Sequence, residues 1–237
     1  MIALYQAIFL KPTFNALIAL YNLVGDIGVA IILLTIVVRL LIFPITLKSL
    51  KSQKALQDLQ PKLNDLKEKY KGDKPALAKA TMELYKQEKV NPASSCLPLL
   101  IQLPVFIALY QAMTIGLKGG GAELLYSFVG NPGTVQAFAF GFLDLAAKNI
   151  PIAFLAGLSQ YVQAKMMSTN KPKLKTEGSK DEAMLVMMNK QMLYVMPAMT
   201  VVIGSSLPGG VILYWLITNL LSIVQQYVFL KPRSKNP

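Results

Sequence analysis

The residue best suited to chemistry in this sequence is Arg39, which lies within the apolar stretch GVAIILLTIVVRLLIFPITL (28–47). An arginine at the centre of a membrane helix costs about 2.5–3.5 kcal/mol on insertion scales, so it needs a function or a partner. Snorkelling to the basic boundary at Lys48 would have to cover about 13 Å of helix, and this alternative stays open. The nearest acid on this stretch, Asp26, stands at its opposite end. We therefore expect other polar groups to solvate the cation.

Polar residues that could do so follow two other apolar stretches at helical spacing. One stripe contains Ser159, Gln160 and Gln163, and the other contains Trp215, Thr218, Asn219, Ser222, Gln225 and Gln226. Steps of three and four place each stripe on one helix face. Such residues also join membrane helices through hydrogen bonds, and for each one that alternative is open. Together with Arg39 they predict a water-filled, positively charged cavity at membrane depth, lined by Arg39, Gln160, Gln163, Trp215, Thr218, Asn219 and Ser222.

Several kinds of chemistry are excluded by residue types. The sequence has no histidine and a single cysteine, Cys96, so it offers no Cys-His or Ser-His pair, internal disulfide or usual zinc site. It also lacks the GxxxxGK[ST] loop of nucleotide-binding proteins. We expect no enzyme activity, no cofactor and no metal.

The composition indicates a membrane protein. Apolar residues make up 54% of the 237 residues and charged residues 15%, against about 25% charged in soluble domains. The net charge of +12 could indicate nucleic-acid binding, but long stretches carry no charge at all, so we expect no specific nucleic-acid partner. The predicted fold class is an all-α polytopic membrane protein.

Five stretches are long and apolar enough to cross a bilayer, which needs roughly 20 residues. They are 25–47, 96–117, 150–167, 184–206 and 211–230. Twenty of the 24 Lys and Arg residues then fall on one side, in 48–92, in 165–190 and after Leu230. Because basic loops stay in the cytoplasm, the N-terminus is predicted outside and the C-terminus inside. The loop 118–149 is then extracytoplasmic, and the loop 168–183 and the basic tail 231–237 are cytoplasmic.

Two further segments flank the first span. Residues 1–24 are interpreted as an interfacial helix on the outer face, with an uncleaved weak signal segment as the alternative. Residues 48–92 are predicted to form a cytoplasmic helical hairpin that turns at Gly72, because Leu56, Leu59, Leu63 and Leu66 recur at helical spacing. The functional interpretation is a mobile arm for incoming chains, lipid headgroups or a partner, and the alternative is a charged spacer.

Four motifs resemble the YidC/Oxa/Alb family of membrane-protein insertases. They are GVAIILLTIVVRLLIFPITLKS (28–49), LQPKLNDLKEKYKGDK (59–74), VNPASSCLPLLIQLPVFIALYQAM (90–113) and LPGGVILYWLITNLLSIVQQ (207–226). The resemblance implies a five-helix core in the bacterial inner membrane, with a hydrophilic groove open to cytoplasm and lipid and closed on the far side. It places Arg39 on the family's groove arginine and Gln163 and Trp215 at groove positions. It also implies nascent membrane proteins as substrates, with the ribosome and a Sec-type translocon as candidate partners.

The expected mechanism is passive. A wet groove reaching partway through the bilayer lowers the desolvation cost of moving a short polar segment, and Arg39 would attract acidic groups in it. The attached apolar helix would then pass sideways into lipid. A small-solute channel or transporter and a structural subunit of a translocation complex are the competing interpretations.

Overall fold

The computed structural model describes residues 2–91, 97–167 and 191–229, and these residues are mostly helical. The predicted loop 168–183, the start of the span 184–206 and the tail 231–237 lie outside the described residues. The helices are α1 (Ile2–Tyr5), α2 (Lys11–Val24), α3 (Ile27–Leu41), α4 (Phe43–Asp58), α5 (Gln60–Lys69), α6 (Lys74–Gln87), α7 (Leu97–Leu117), α8 (Ile150–Met167), α9 (Met196–Gly204) and α10 (Gly209–Phe229). Two π-helical turns, Gln6–Leu10 and Gln191–Val195, precede α2 and α9.

The core lies where α2, α3, α7 and α10 meet. Phe14, Ile31, Leu109, Met113 and Val211 are almost completely buried there. Helix α8 packs beside α10, and α9 packs against α8, where Gly157 allows the close approach: a Cβ at this position would lie 2.4 Å from Val201. The apolar side chains on the outer faces of these helices remain exposed, as expected for lipid-facing surfaces.

The predicted first span contains a break. Helix α3 ends at Leu41, Ile42 leaves the helical path, and α4 departs at 67°. Pro44 occupies the first turn of α4, where its missing N–H costs no hydrogen bond. Helix α4 then continues through Lys48 to Asp58, so the helix is not interrupted at the predicted boundary between 47 and 48. Apolarity marked the membrane segment there but could not mark the bend inside it.

Helix length and hydropathy give three candidate membrane spans among the described residues, or four if the bent pair α3–α4 counts as one. The three are Ala3–Val24, Leu100–Leu117 and Gly209–Phe229. Helix α8 has the bounds expected for the segment 150–167, but five spans remain a prediction. Residues 3–24 form a helix long enough to cross a membrane, packed against α3 and α7, and their interfacial placement also remains a prediction.

Helices α5 and α6 form a pair joined at Gly72, whose φ of +93° suits glycine. Asp73 caps α6 by accepting a hydrogen bond from the Ala76 N–H at 3.0 Å, and Lys62 forms an ion pair with Glu88 at the end of α6. The chain therefore reverses at the expected turn. The cytoplasmic location of this helical pair stays a prediction.

The loop 118–149 is ordered by side chains of α2. Asn15 donates to the carbonyl oxygen of Leu124 at 2.8 Å and accepts from the Tyr126 N–H at 2.6 Å. Asn22 donates to the carbonyl oxygen of Gly130 at 2.7 Å. The loop also contains a short β-hairpin, in which β1 (Phe138–Ala139) pairs antiparallel with β2 (Leu143–Asp144). Helix α2 and this loop together cover one end of the helical bundle.

Candidate functional site

Arg39 lies in the last turn of α3 and reaches across to α10. Its Nη2 donates hydrogen bonds to the backbone carbonyl oxygen of Thr218, 2.7 Å away, and to the hydroxyl of Ser222. These two residues are one helical turn apart on α10, which explains why one guanidinium nitrogen contacts both. The structure therefore brings Arg39 together with two of the predicted stripe residues.

No carboxylate pairs with Arg39 within the described ranges. The ion pair found there joins Lys62 and Glu88, on the α5–α6 pair. Asp26 is occupied at the other end of α3, where it accepts hydrogen bonds from the N–H groups of Val29 and Phe140. The cation is held by neutral oxygens of α10, so its charge is available to another group.

Asn219 faces a different helix. Its side-chain amide donates to the carbonyl oxygen of Ala156 at 3.1 Å and to the hydroxyl of Ser159 at 3.2 Å, both on α8. Thr218 and Asn219 are adjacent in sequence and therefore point about 100° apart around the helix. The contact that Asn219 makes is the helix-joining type of hydrogen bond, and its predicted groove role stays untested.

The other predicted residues lie around the α8–α9–α10 contact. Gln160 accepts a hydrogen bond from the Thr200 hydroxyl of α9. Gln163 is half-buried on the next turn of α8 and makes no side-chain hydrogen bond to the described part of the chain. Trp215 is half-buried and stacks edge-on against Phe106 of α7, with ring centroids 5.5 Å apart. None of these three is hydrogen-bonded to Arg39.

Tyr214 and its hydrogen-bond partner Gln102 were absent from the predicted set. Tyr214 is 2% exposed, accepts a hydrogen bond from the Gln102 side chain of α7, and its hydroxyl lies within electrostatic range of Arg39. Tyr214 stands four residues before Thr218, on the same helix face, and this spacing is the signal that could have identified it. The polar cluster around Arg39 thus draws on α3, α7 and α10.

Three buried polar atoms in this region have no hydrogen-bond partner among the described residues: Nε of Arg39, Oγ1 of Thr218 and Oε1 of Gln226. A buried polar group without a partner costs about 1–3 kcal/mol, so such groups are usually paired. All three belong to α3 or to the face of α10 that continues from Thr218. The arrangement provides a cation and polar atoms with unused hydrogen-bonding capacity inside an apolar helical bundle. Such a site suits an anionic or hydrogen-bonding group entering from outside the protein.

The site contains nothing suited to metal binding or acid-base catalysis. Within the described residues, no group of three or more His, Cys, Asp or Glu side chains lies close enough together to hold a metal ion. Arg39 keeps its proton at any physiological pH and cannot act as a general base. What the cluster can do is bind and stabilise charge.

Comparisons with known proteins converge on one family. The family model described as 60Kd inner membrane protein matches residues 19–236. The membrane protein insertase YidC of Geobacter sulfurreducens is 36% identical over 225 residues, which are 93% of this chain and 37% of that protein. The YidC insertase of Fusobacterium nucleatum is 35% identical over 208 residues, 88% of both chains. The chain thus spans little more than a third of the Geobacter relative.

A solved structure is similar as well. The crystal structure of an active YidC insertase with its first transmembrane domain resolved superposes with a TM-score of 0.59 at 26% identity. The superposition covers 88% of this chain and 43% of that one. The fold of this chain is therefore similar to that of a solved membrane protein.

Proposed function

The chain belongs to the 60Kd inner membrane protein family, and we propose that it acts as a membrane protein insertase. Membership of this family, together with its apolar helices, makes it a multi-pass membrane protein. The proposed substrates are nascent membrane proteins, and the surrounding bilayer receives their apolar helices.

The observation that carries this proposal is the environment of Arg39. The guanidinium is inside the helical bundle, donates to Thr218 and Ser222, and has no carboxylate partner among the described residues. Its Nε is buried without a hydrogen bond. An acidic side chain passing through the membrane could pair with the cation and also accept a hydrogen bond from Nε, because a carboxylate accepts hydrogen bonds from a guanidinium fork.

The mechanism that follows is passive transfer. A short polar segment of the substrate enters a hydrophilic groove lined by Arg39, Gln160, Gln163, Trp215, Thr218, Asn219 and Ser222. There its polar groups exchange water for the side chains of the groove, and the desolvation barrier falls. The apolar helix that follows moves sideways into lipid, and burial of each CH₂ contributes about 0.8 kcal/mol to the drive. No nucleotide hydrolysis is required.

The proposed orientation places the N-terminus outside and the C-terminus in the cytoplasm, because the basic residues concentrate on the side of the α5–α6 pair. That pair then lies at the cytoplasmic entrance, where it would first meet an incoming chain. A ribosome or a Sec-type translocon would dock on the same side.

The test is reconstitution of the purified protein into liposomes with a single-span substrate that has a short polar tail. We expect protease-protected insertion above the level of protein-free liposomes, without increased leakage of ions or small solutes. Solute flux without insertion would favour a channel or transporter instead. The absence of both would leave a structural subunit as the better interpretation.

A further inference from the structure

A short β-hairpin in the loop 118–149 displays aromatic side chains on its surface. We call residues 138–144 the aromatic hairpin. Phe138, Phe140 and Phe142 are 57%, 43% and 77% exposed, while Ala139 between the first two is completely buried. Three large apolar rings on seven residues form an exposed patch of the kind that usually marks an interaction site.

The aromatic hairpin is held rigidly, so its exposed rings do not result from a loose chain. Ala139 packs so closely on Gly28 of α3 that a Cβ on this glycine would lie 2.5 Å from the alanine Cβ. Asp26 accepts a hydrogen bond from the Phe140 N–H, and Phe140 is kept at a φ of +54°, which costs energy outside glycine. Tertiary contacts therefore hold the rings in this position despite the unfavourable backbone conformation of Phe140.

The chain that follows the aromatic hairpin is fixed too. Leu145 is completely buried, and its carbonyl oxygen accepts a hydrogen bond from the Gly210 N–H of α10 at 3.0 Å. The carbonyl oxygen of Ala147 accepts from the Gly209 N–H at 2.8 Å. The aromatic hairpin is thus tied to the first turns of both α3 and α10, the two helices that carry the Arg39 cluster.

The surroundings identify the partner as lipid. The exposed apolar residues Leu23 and Ile150, 79% and 64% exposed, lie at the ends of α2 and α8 that adjoin this loop. Exposed apolar side chains at the ends of two helices therefore accompany the aromatic hairpin. The loop 118–149 has Lys118 and Lys148 at its ends and two acids, Glu123 and Asp144, so its net charge is zero, and residues 124–143 carry no charge at all. Attraction to anionic headgroups therefore does not explain the exposed rings. Phenylalanine rings on an otherwise uncharged segment gain free energy when they are buried at the boundary between headgroups and acyl chains.

We propose that the aromatic hairpin inserts the rings of Phe138 and Phe142 into the headgroup region of the leaflet around the first turn of α3, while the Phe140 ring packs beside Gly28 of that helix. It thereby fixes the depth of α3 in the bilayer. Arg39 is 12 residues beyond Ile27, which places it about 18 Å along the helix from this anchor. That distance is close to the midplane of a hydrocarbon core about 30 Å thick. The anchor does not depend on the proposed insertase activity.

The test measures the depth of single tryptophans at the aromatic hairpin in phosphatidylcholine vesicles. Phe142→Trp and Phe138→Trp are made separately in the full chain carrying Trp215→Phe, because Trp215 is the only native tryptophan. Lys71→Trp in the α5–α6 turn serves as the water-exposed control, and Leu40→Trp, on the 66% exposed face of α3, as the lipid-facing control. Quenching is measured with lipids brominated near the headgroup, with lipids brominated deep in the chain, and with aqueous acrylamide.

We expect both hairpin variants to lose more emission with shallow bromines than with deep ones, and less with acrylamide than the Lys71→Trp control. Acrylamide quenching equal to that control, with no effect of brominated lipid, would place the aromatic hairpin in water and overturn the proposal. Protection from all three quenchers would show that a protein surface covers the rings, and this would overturn it as well. If Trp215→Phe disturbs folding, the same variants are made in the chain that keeps Trp215. The emission of the unsubstituted chain is then subtracted from that of each variant.

Discussion

Replacing Arg39 by alanine should leave the free energy of unfolding nearly unchanged, although the substitution removes a charged residue from the bundle. The loss is two hydrogen bonds from Nη2, to Thr218 and Ser222, at about 1.5–3 kcal/mol each for a charged donor. Neither acceptor is left without a partner, because the Ser222 hydroxyl donates to the Thr218 carbonyl oxygen at 2.8 Å. No further hydrogen bond is therefore lost.

Removing the buried cation also relieves a cost, and this offsets the loss of the two hydrogen bonds. Burial of the cation costs about 2.5–3.5 kcal/mol, and the unpaired Nε adds about 1–3 kcal/mol. Both costs disappear with the side chain, and their sum of about 3.5–6.5 kcal/mol is set against a loss of about 3–6 kcal/mol. The free energy of unfolding should therefore fall by no more than about 2.5 kcal/mol. In a matched ion pair, by contrast, removing one partner costs about 3–5 kcal/mol because a buried charge is left behind.

The assay is unfolding in mixed detergent micelles, followed by circular dichroism. Leu40→Ala is the matched control, because Leu40 adjoins Arg39 on α3 but is 66% exposed and outside the polar cluster. We expect the two variants to unfold at similar detergent composition. A decrease of more than about 3 kcal/mol in the free energy of unfolding for Arg39→Ala alone would mean that the cation has a structural partner, and it would refute this prediction.

Three further outcomes are expected. Asn219→Ala should destabilise the protein by about 1–3 kcal/mol, because its amide joins α10 to α8; unfolding of the variant in micelles measures this, and a neutral result would remove that role. Gly157→Ala should cost about 1–3 kcal/mol by the same assay, since its Cβ would overlap Val201 and the Pro197 carbonyl oxygen; unchanged stability would show that α9 can move away freely. In a Cys96→Ser chain, Gly120→Cys should react with an impermeant thiol reagent from outside and Lys71→Cys only after the membrane is opened; labelling of both from one side would refute the predicted orientation.

The sequence was informative where periodicity alone decides the structure. Steps of three and four along α10 correctly placed Thr218 and Ser222 on one face, and the turn at Gly72 followed from a glycine and proline next to an acid. The bounds of α8 also matched the apolar stretch 150–167. These features depend on local rules that a single chain segment contains.

Features that depend on packing between segments could not be predicted. Thr218 and Asn219 lie on one polar stripe, but the first faces Arg39 and the second faces Ser159, because α3 and α8 contact different sides of α10. The bend at Ile42 lies within a stretch that hydropathy treats as one span, and the local signal for it is Pro44, which begins a new helix. Tyr214 differs, because its spacing of four residues from Thr218 does place it on the same helix face.

The same limit applies to the end of the bundle covered by α2 and the loop 118–149. Asn15 and Asn22 are common helix-surface residues, and nothing local to them shows that they bind backbone groups more than 100 positions away. The close contact of Ala139 with Gly28 depends equally on two distant segments. Such contacts follow from the tertiary fold and not from the pattern of any one element.

The most direct test of the central claim is insertion, into liposomes, of one substrate with an acidic tail and a matched one with a neutral tail. At 4 Å and an effective dielectric constant of 20, a pair of opposite charges gains about 4 kcal/mol, and a third of that already changes a rate about tenfold. We therefore expect Arg39→Ala to reduce insertion of the acidic substrate at least about tenfold and to leave insertion of the neutral substrate unchanged. Arg39→Lys should retain much of the insertion of both substrates. Arg39→Glu should insert the acidic substrate less well than Arg39→Ala does. Equal insertion of both substrates by the wild type and by Arg39→Ala would contradict the proposed role of the cation and with it the groove mechanism.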